Sequence, residues 1–296
     1  MQDVAFIGLG HMGAGMAANL AKAGFEVRAF DLNGDARANA VRAGCAEAMS
    51  IQEAVENAEI VVTMLPAGPQ VETVYLGNDG VLAHAKLGAT LIDCSTIDVE
   101  TARRVGFAAT KSGLSMVDAP VSGGVAAANA GTLTFMVGGT QTAFAAAEPV
   151  LKAMGKAVIH AGAAGAGQAA KICNNMLLGI SMIGTCEAFV LAEKLGLDPQ
   201  RFFDISSKAS GQCWSMTSYC PVPGPVPASP ANRGYEPGFT AAMMLKDLKL
   251  AQQAAAQAGA ATPMGAAAEA LYQLFAANNG SGKDFSGIIN LIRGDS

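Results

Sequence analysis

The first half of the chain alternates short β-branched apolar runs with Ala-rich stretches. The runs "VAFIG" (Val4–Gly8), "EVRAF" (Glu26–Phe30), "EIVVTML" (Glu59–Leu65), "TLIDC" (Thr90–Cys94) and "SMVDAP" (Ser115–Pro120) read as strands, with "TFMVGG" (Thr134–Gly139) and "AVIHAG" (Ala157–Gly162) as two more. Helix formers fill the intervals, as at Met12–Ala23 and Asp35–Ala43. Fully apolar strands alternating with helices predict an α/β fold, a doubly wound parallel sheet covered on both faces. After Gly162 the period becomes helical. Gly165–Leu195 carries it unbroken, a helix roughly 45 Å long at 1.5 Å per residue. Further helices are predicted at Pro199–Lys208, Thr240–Ala258, Pro263–Ala277 and Asp284–Arg293, with no strand-like run among them. The expected organisation is a sheet domain over 1–163 and an all-α C-terminal domain over 164–296, divided at a Gly/Ala-rich turn.

The length of 296 residues suits two domains. A net charge of -5 without any Lys/Arg cluster argues against nucleic acid as a partner. Only 15% of residues are charged and 51% are hydrophobic, which points to surface covered by self-association, as a homodimer or homotetramer. The amino terminus begins a strand at once and has the look of no targeting leader. The most apolar segment, Ile172–Leu195, is interrupted by Asn174, Asn175, Glu187, Glu193 and Lys194, and reads as a buried helix rather than a membrane span. The six cysteines show no metal-ligand spacing, so no metal site is expected, and reduced thiols in the cytoplasm are the expected state. Cys173 reads as core filler. Residues 211–238 hold half of the twelve prolines and predict an extended, polyproline-like segment.

Chemistry enters first at "FIGLGHMGAGMAANL", where GxGxxG (Gly8, Gly10, Gly13) follows a strand and opens a helix. That context marks a Rossmann-type dinucleotide site. Gly8 permits the tight turn, Gly10 lets the backbone approach a pyrophosphate, and Gly13 lets helix and strand pack closely. The helix start then presents N–H groups to the phosphates, so His11 and Met12 contribute through the backbone. Asp31 ends the second strand eighteen residues past Gly13. A carboxylate there accepts from ribose hydroxyls and repels a 2′-phosphate, which favours NAD over NADP. The turns "MLPAG" and "DCST" offer Leu65, Pro66 and Thr96 as further cofactor contacts, though ordinary turn chemistry explains these residues equally well.

Two features suit a small acidic substrate. "DAPVSGG" supplies a hydroxyl (Ser122) and unobstructed backbone N–H groups (Gly123, Gly124) for a carboxylate; a plain helix cap explains them as well. "AGAAGAGQAAKICNNMLLG" carries one charge, Lys171, with Asn174 and Asn175 at i+3 and i+4 on the same helix face. Such an amine is either a solvated surface lysine or a general acid/base facing a cleft.

The order and spacing of GxGxxG, "DAPVSGG" and "GAGQAAKICNN" resemble the β-hydroxyacid dehydrogenases, and with "SSKASGQCWSMTSYCPVPGPVP", "MLKDLKLA" and "KDFSGIINLI" the likeness covers essentially the whole chain. The resemblance implies an NAD-binding Rossmann domain, an all-helical domain, and an active site between them. It implies Lys171 as the catalytic amine, Ser122, Gly123, Gly124 and Asn175 as substrate-binding, and Lys246 and Asp247 as a pair near the nicotinamide, with Lys246 serving cofactor and substrate alike. Residue 70 is Gln where relatives carry Asn, and is left out of the site. The implied reaction is NAD-dependent oxidation of a small 3-hydroxy acid, 3-hydroxyisobutyrate, to methylmalonate semialdehyde in valine breakdown. Oxidation of L-serine, reduction of a small semialdehyde, and a non-catalytic dinucleotide-sensing scaffold are the alternatives.

Overall fold

The computed structural model describes residues 2–294. The chain forms two compact units, residues 1–171 and 172–296.

The first unit is built on a nine-stranded sheet in the order β3-β2-β1-β4-β5-β6-β8-β7, with β9 also paired to β8. The strands are β1 (Asp3–Ile7), β2 (Glu26–Phe30), β3 (Ala46–Glu47), β4 (Ile60–Thr63), β5 (Thr90–Asp93), β6 (Ser115–Asp118), β7 (Val121–Ser122), β8 (Leu133–Gly138) and β9 (Gly155–Gly162). The helices that cover them are α1 (Gly13–Lys22), α2 (Gly34–Arg42), α3 (Ile51–Val55), α4 (Gly68–Leu76), α5 (Val81–His84), α6 (Val99–Lys111), α7 (Gly124–Ala130) and α8 (Gln141–Met154). Each central strand sends alternate residues into two separate cores. Phe6, Val62 and Ile92 pack with Met16, Leu20 and Leu151 on one face, while Ile7, Val61 and Leu91 pack with Val71, Tyr75 and Val105 on the other. This is why these strands are apolar throughout.

β1 to β6 run parallel, as the alternating pattern predicts, but β8 runs antiparallel to β6 and β7. Pro120 is the local reason for the break. It has no N–H to give, so the expected strand Ser115–Pro120 stops at Asp118 and resumes at Val121, and Pro120 contributes only its carbonyl, to Met136 N–H at 3.0 Å.

The helix α9 (Ala166–Lys194) has residues in both units, the division of the chain falling after Lys171. By length and composition it could cross a membrane, yet Ile172, Met182, Ile183, Cys186, Phe189 and Ala192 are buried. The helical unit continues with α10 (Pro199–Ser206), α11 (Trp214–Thr217), α12 (Ala241–Ala258), α13 (Pro263–Phe275) and α14 (Ile288–Arg293). Cys173 is exposed rather than core, on the same stripe of α9 as Leu177. Residues 211–238 are not simply extended. They hold α11 and a 3₁₀ turn at Pro230–Arg233, with Ser215, Met216, Cys220 and Val222 buried. Side chains close the loop on itself: Ser229 Oγ donates to Cys220 O (2.5 Å), Asn232 Nδ2 to Val226 O (2.8 Å) and Tyr235 Oη to Pro221 O (2.9 Å). Trp214 stacks on Tyr219, which stacks on Phe285.

Candidate active site

The glycine-rich turn joins β1 to α1. Gly8 has φ +96°, and a Cβ there would run into the Met64 carbonyl oxygen. A Cβ on Gly13 would overlap the Gly8 carbonyl oxygen and lie 3.2 Å from Phe6 Cε1. Gly8 and Gly13 are therefore small because the protein's own backbone is close. Gly10 differs: a Cβ there would meet no protein atom within 4 Å. Its backbone is left open to a molecule approaching from outside. The first turn of α1 has no side-chain cap and no acidic residue, so its N–H groups and partial positive charge suit a phosphate. His11 is exposed and Met12, the N-cap residue, is half-buried.

Asp31 faces this turn from the end of β2. Its Oδ2 accepts from Leu9 N–H at 2.7 Å and its Oδ1 from Asn33 N–H at 2.8 Å. The carboxylate thus pins the turn and lines a cleft of about 530 Å³ together with Leu9, Gly10, His11, Asn33 and Val125. A glycine open to backbone approach, an uncapped helix start and a carboxylate at the end of the second strand fit a dinucleotide without a 2′-phosphate.

The next two strand ends are tied together by a buried network that the sequence did not announce. Asp93, at the end of β5, accepts on Oδ1 from Thr63 Oγ1 (2.8 Å), Ser95 Oγ (2.6 Å) and Ser95 N–H (3.2 Å). Ser95 Oγ in turn accepts from Leu65 N–H at 2.8 Å. The Leu65 N–H is therefore committed to the protein. Pro66 is exposed and Thr96 half-buried, on the two turns this network holds. Burial pushes the Asp93 carboxyl up to about 6, against the hydrogen bonds from Ser95 and Thr63. An aspartate raised in the fold is most stabilising while protonated. Its contribution is full below about pH 4 and lost as pH rises past 6. Asp93→Asn mimics the protonated acid, so its unfolding free energy relative to the parent should grow by on the order of 2–3 kcal/mol between pH 4 and pH 7. Urea titrations at both pH values measure this, and a difference that does not change with pH contradicts it.

Asp118 ends β6 beside Asp93 in register. Its Oδ1 accepts from Gly165 N–H (2.7 Å) and its Oδ2 from Gln168 N–H (2.9 Å), so it caps α9 with negative charge at the favourable end of the helix. Burial raises its pKa and these backbone donors oppose the rise. A Cβ on Gly167 would run into the Met136 carbonyl oxygen, so α9 starts hard against the sheet. Lys171 lies one turn further along and is 6% exposed. Ser122, on β7, pairs with Thr134 of β8 and is half-buried. Gly123 (φ +135°) and Gly124 (φ +70°) then turn the chain into α7 through backbone that only glycine adopts readily.

In the helical unit, Asn175 Nδ2 donates to Asp247 Oδ2 at 2.5 Å, and Asn174 Nδ2 donates to Asn175 Oδ1 at 3.0 Å. Asn175 and Asp247 are both 2% exposed. Burial pushes the neighbouring Lys246 ammonium below its usual value, and Asp247 works against that shift. Three of the expected site residues, Asn175 on α9 and Lys246 and Asp247 on α12, thus lie together.

Two family models cover the chain. Residues 3–162 match the NAD binding domain of 6-phosphogluconate dehydrogenase, and residues 165–292 match a model described as NAD-binding of NADP-dependent 3-hydroxyisobutyrate dehydrogenase. The fold and its glycine-rich turn define an NAD-dependent oxidoreductase. Over 296 residues the chain is 51% identical to the 3-hydroxyisobutyrate dehydrogenase of Pseudomonas aeruginosa, covering 99% of each. It is 48% identical over 292 residues to the NAD-dependent L-serine dehydrogenase of the same organism, covering 99% of this chain and 98% of that one. The solved structure of Mycobacterium tuberculosis 3-hydroxyisobutyrate dehydrogenase with L-serine matches with a TM-score of 0.95 at 50% identity, over 99% of this chain and 100% of that one. The chain belongs to the 3-hydroxyisobutyrate dehydrogenase family, and its cofactor is NAD.

Proposed function

We propose that the protein oxidises 3-hydroxyisobutyrate to methylmalonate semialdehyde, as a step of valine breakdown, with Lys171 as the general acid/base. The observation that carries this reading is the burial of Lys171 in an apolar helix. Lysine is among the residues least often buried, and buried titratable groups concentrate where chemistry uses them. Bound NAD supplies the hydride acceptor. The protein's own groups then have two tasks. Ser122, Gly123 and Gly124 hold the carboxylate, and Lys171 Nζ takes the hydroxyl proton when neutral, or as an ammonium hydrogen-bonds the developing alkoxide. Asn175, four residues on, orients the amine, held in turn by Asp247; Lys246 completes the set. Gly8, Gly10, His11, Met12 and Gly13 receive the pyrophosphate through backbone groups, Asp31 the ribose, and Leu65, Pro66 and Thr96 line the path to the nicotinamide.

The functional domains on this reading are a dinucleotide-binding domain over 1–163 and a helical substrate and oligomerisation domain over 164–296. Leu177 and Leu191 on α9, Leu195 just after it, and Met264 and Leu274 on α13 are exposed apolar residues that support a homodimer or homotetramer. All six cysteines are free thiols, which supports a cytoplasmic enzyme.

L-Serine is the second reading, because a relative at 48% identity is an L-serine dehydrogenase and a near structural match was solved with L-serine. A pocket difference of one methyl group discriminates by about 1–3 kcal/mol. With NAD held constant, kcat/KM for 3-hydroxyisobutyrate should therefore exceed that for L-serine and for tartronate by about tenfold or more. A larger value for L-serine assigns the enzyme to serine instead.

A further inference from the structure

Gln168 is fully buried, one turn before Lys171 on α9, and both ends of its amide are used. Its Oε1 accepts from Ile97 N–H at 3.1 Å, and its Nε2 donates to Ser95 O at 2.7 Å. These two backbone groups bracket Thr96. The side chain therefore grips the turn after β5 as a neighbouring strand would, fixing the backbone on either side of one residue. The grip extends further, because Ser95 Oγ holds Leu65 N–H and is itself held by Asp93. The backbone N–H of Gln168 is anchored independently on Asp118. Turns 64–66 and 95–97 and the first turn of α9 thus form one hydrogen-bonded frame, entirely within the first unit.

We propose that Gln168 is a positioning residue for hydride transfer: its amide sets the spacing between the cofactor-facing turn at Thr96 and the amine of Lys171. The proposal rests on the reading of Thr96 and Lys171 given above. An amide is required because the turn presents one acceptor and one donor together. A carboxylate would face the Ser95 carbonyl with no proton to give, and an apolar side chain would leave two buried backbone groups unpaired. From Gln168 to Lys171 the helix advances about 4.5 Å and returns to nearly the same face, so a shift at the clasp is passed on to the amine.

The test compares the parent enzyme with Gln168→Met, which keeps the volume and loses both hydrogen bonds, using NAD and whichever of the three hydroxy acids turns over fastest. A misplacement on the order of 1 Å costs about a hundredfold in rate. The expected result is a kcat lowered roughly tenfold to a hundredfold, with KM for the hydroxy acid nearly unchanged. The primary deuterium isotope effect on kcat should rise as hydride transfer becomes limiting. Should Gln168→Met fail to fold, Gln168→Glu carries the same test, since it is isosteric and loses only the donor to Ser95. Parental kcat and isotope effect in the folded variant overturn the proposal, as does a loss of rate matching only the loss of folded protein. Lys171→Ala is run beside it. If that variant stays active, the reading of the active site fails; if it is dead while the Gln168 variants are normal, only the positioning role fails.

Discussion

Lys171→Ala should bind NAD as the parent does and turn over about 10²- to 10⁴-fold more slowly, the range general acid–base catalysis supplies. The two halves of that expectation have separate structural causes. The dinucleotide features, from Gly8 to Gly13 and at Asp31, lie at the other strand ends and owe nothing to the lysine side chain. The proton, by contrast, has no other assigned acceptor. Titrating NADH fluorescence measures the first half and steady-state rates the second. Parental turnover with a parental pH profile ends the assignment. Loss of NADH binding together with turnover would mean that Lys171 serves the cofactor instead.

The second large effect concerns stability. Gly13→Ala should cost about 3 kcal/mol or more, because its Cβ would overlap the Gly8 carbonyl oxygen and drive α1 off β1. For a chain of this size that lowers Tm by roughly 5–10 °C. Gly10→Ala, only three residues earlier, should leave Tm unchanged, since nothing in the protein lies within 4 Å of the added methyl. Its cost should appear in NAD binding, where one obstructed charge-assisted hydrogen bond is worth about 1.5–3 kcal/mol, a tenfold to hundredfold loss of affinity. Thermal melts and NAD titrations of the pair separate the two roles. Equal losses of Tm in both variants contradict the division.

Much of the frame was legible because it is written locally. β2 spans Glu26–Phe30 as expected, and α9 runs Ala166–Lys194 where its periodicity predicted a helix over Gly165–Leu195. The glycine-rich turn was readable because strand, turn and helix are contiguous. What stayed hidden depends on register between distant segments. An apolar run carries no direction, so nothing in "TFMVGG" foretold that β8 would reverse. β3 and β7 have two residues each, too few to show a period. Asp93, Asp118 and Gln168 stand in quoted motifs, but Thr63 for Asp93, Gly165 for Asp118 and Ser95 for Gln168 lie far along the chain and meet them only when parallel strands align and α9 seats on them. A strand-final Asp inside an otherwise apolar run was the one available signal. Asp284 shows the same limit: the helix expected from there starts as a 3₁₀ turn, and the carboxylate collects Gly238, Phe239, Tyr219 and Ser286 instead.

The outermost strand beside β2 has a bearing on solution behaviour. β3 offers only Ala46 and Glu47, and the Glu47 carboxylate is paired to Arg37 at 2.9 Å. A rim so short and so charged gives a passing chain almost no ladder to extend. Oily as the sequence is, that flank resists strand-by-strand growth into fibrils when the protein is concentrated.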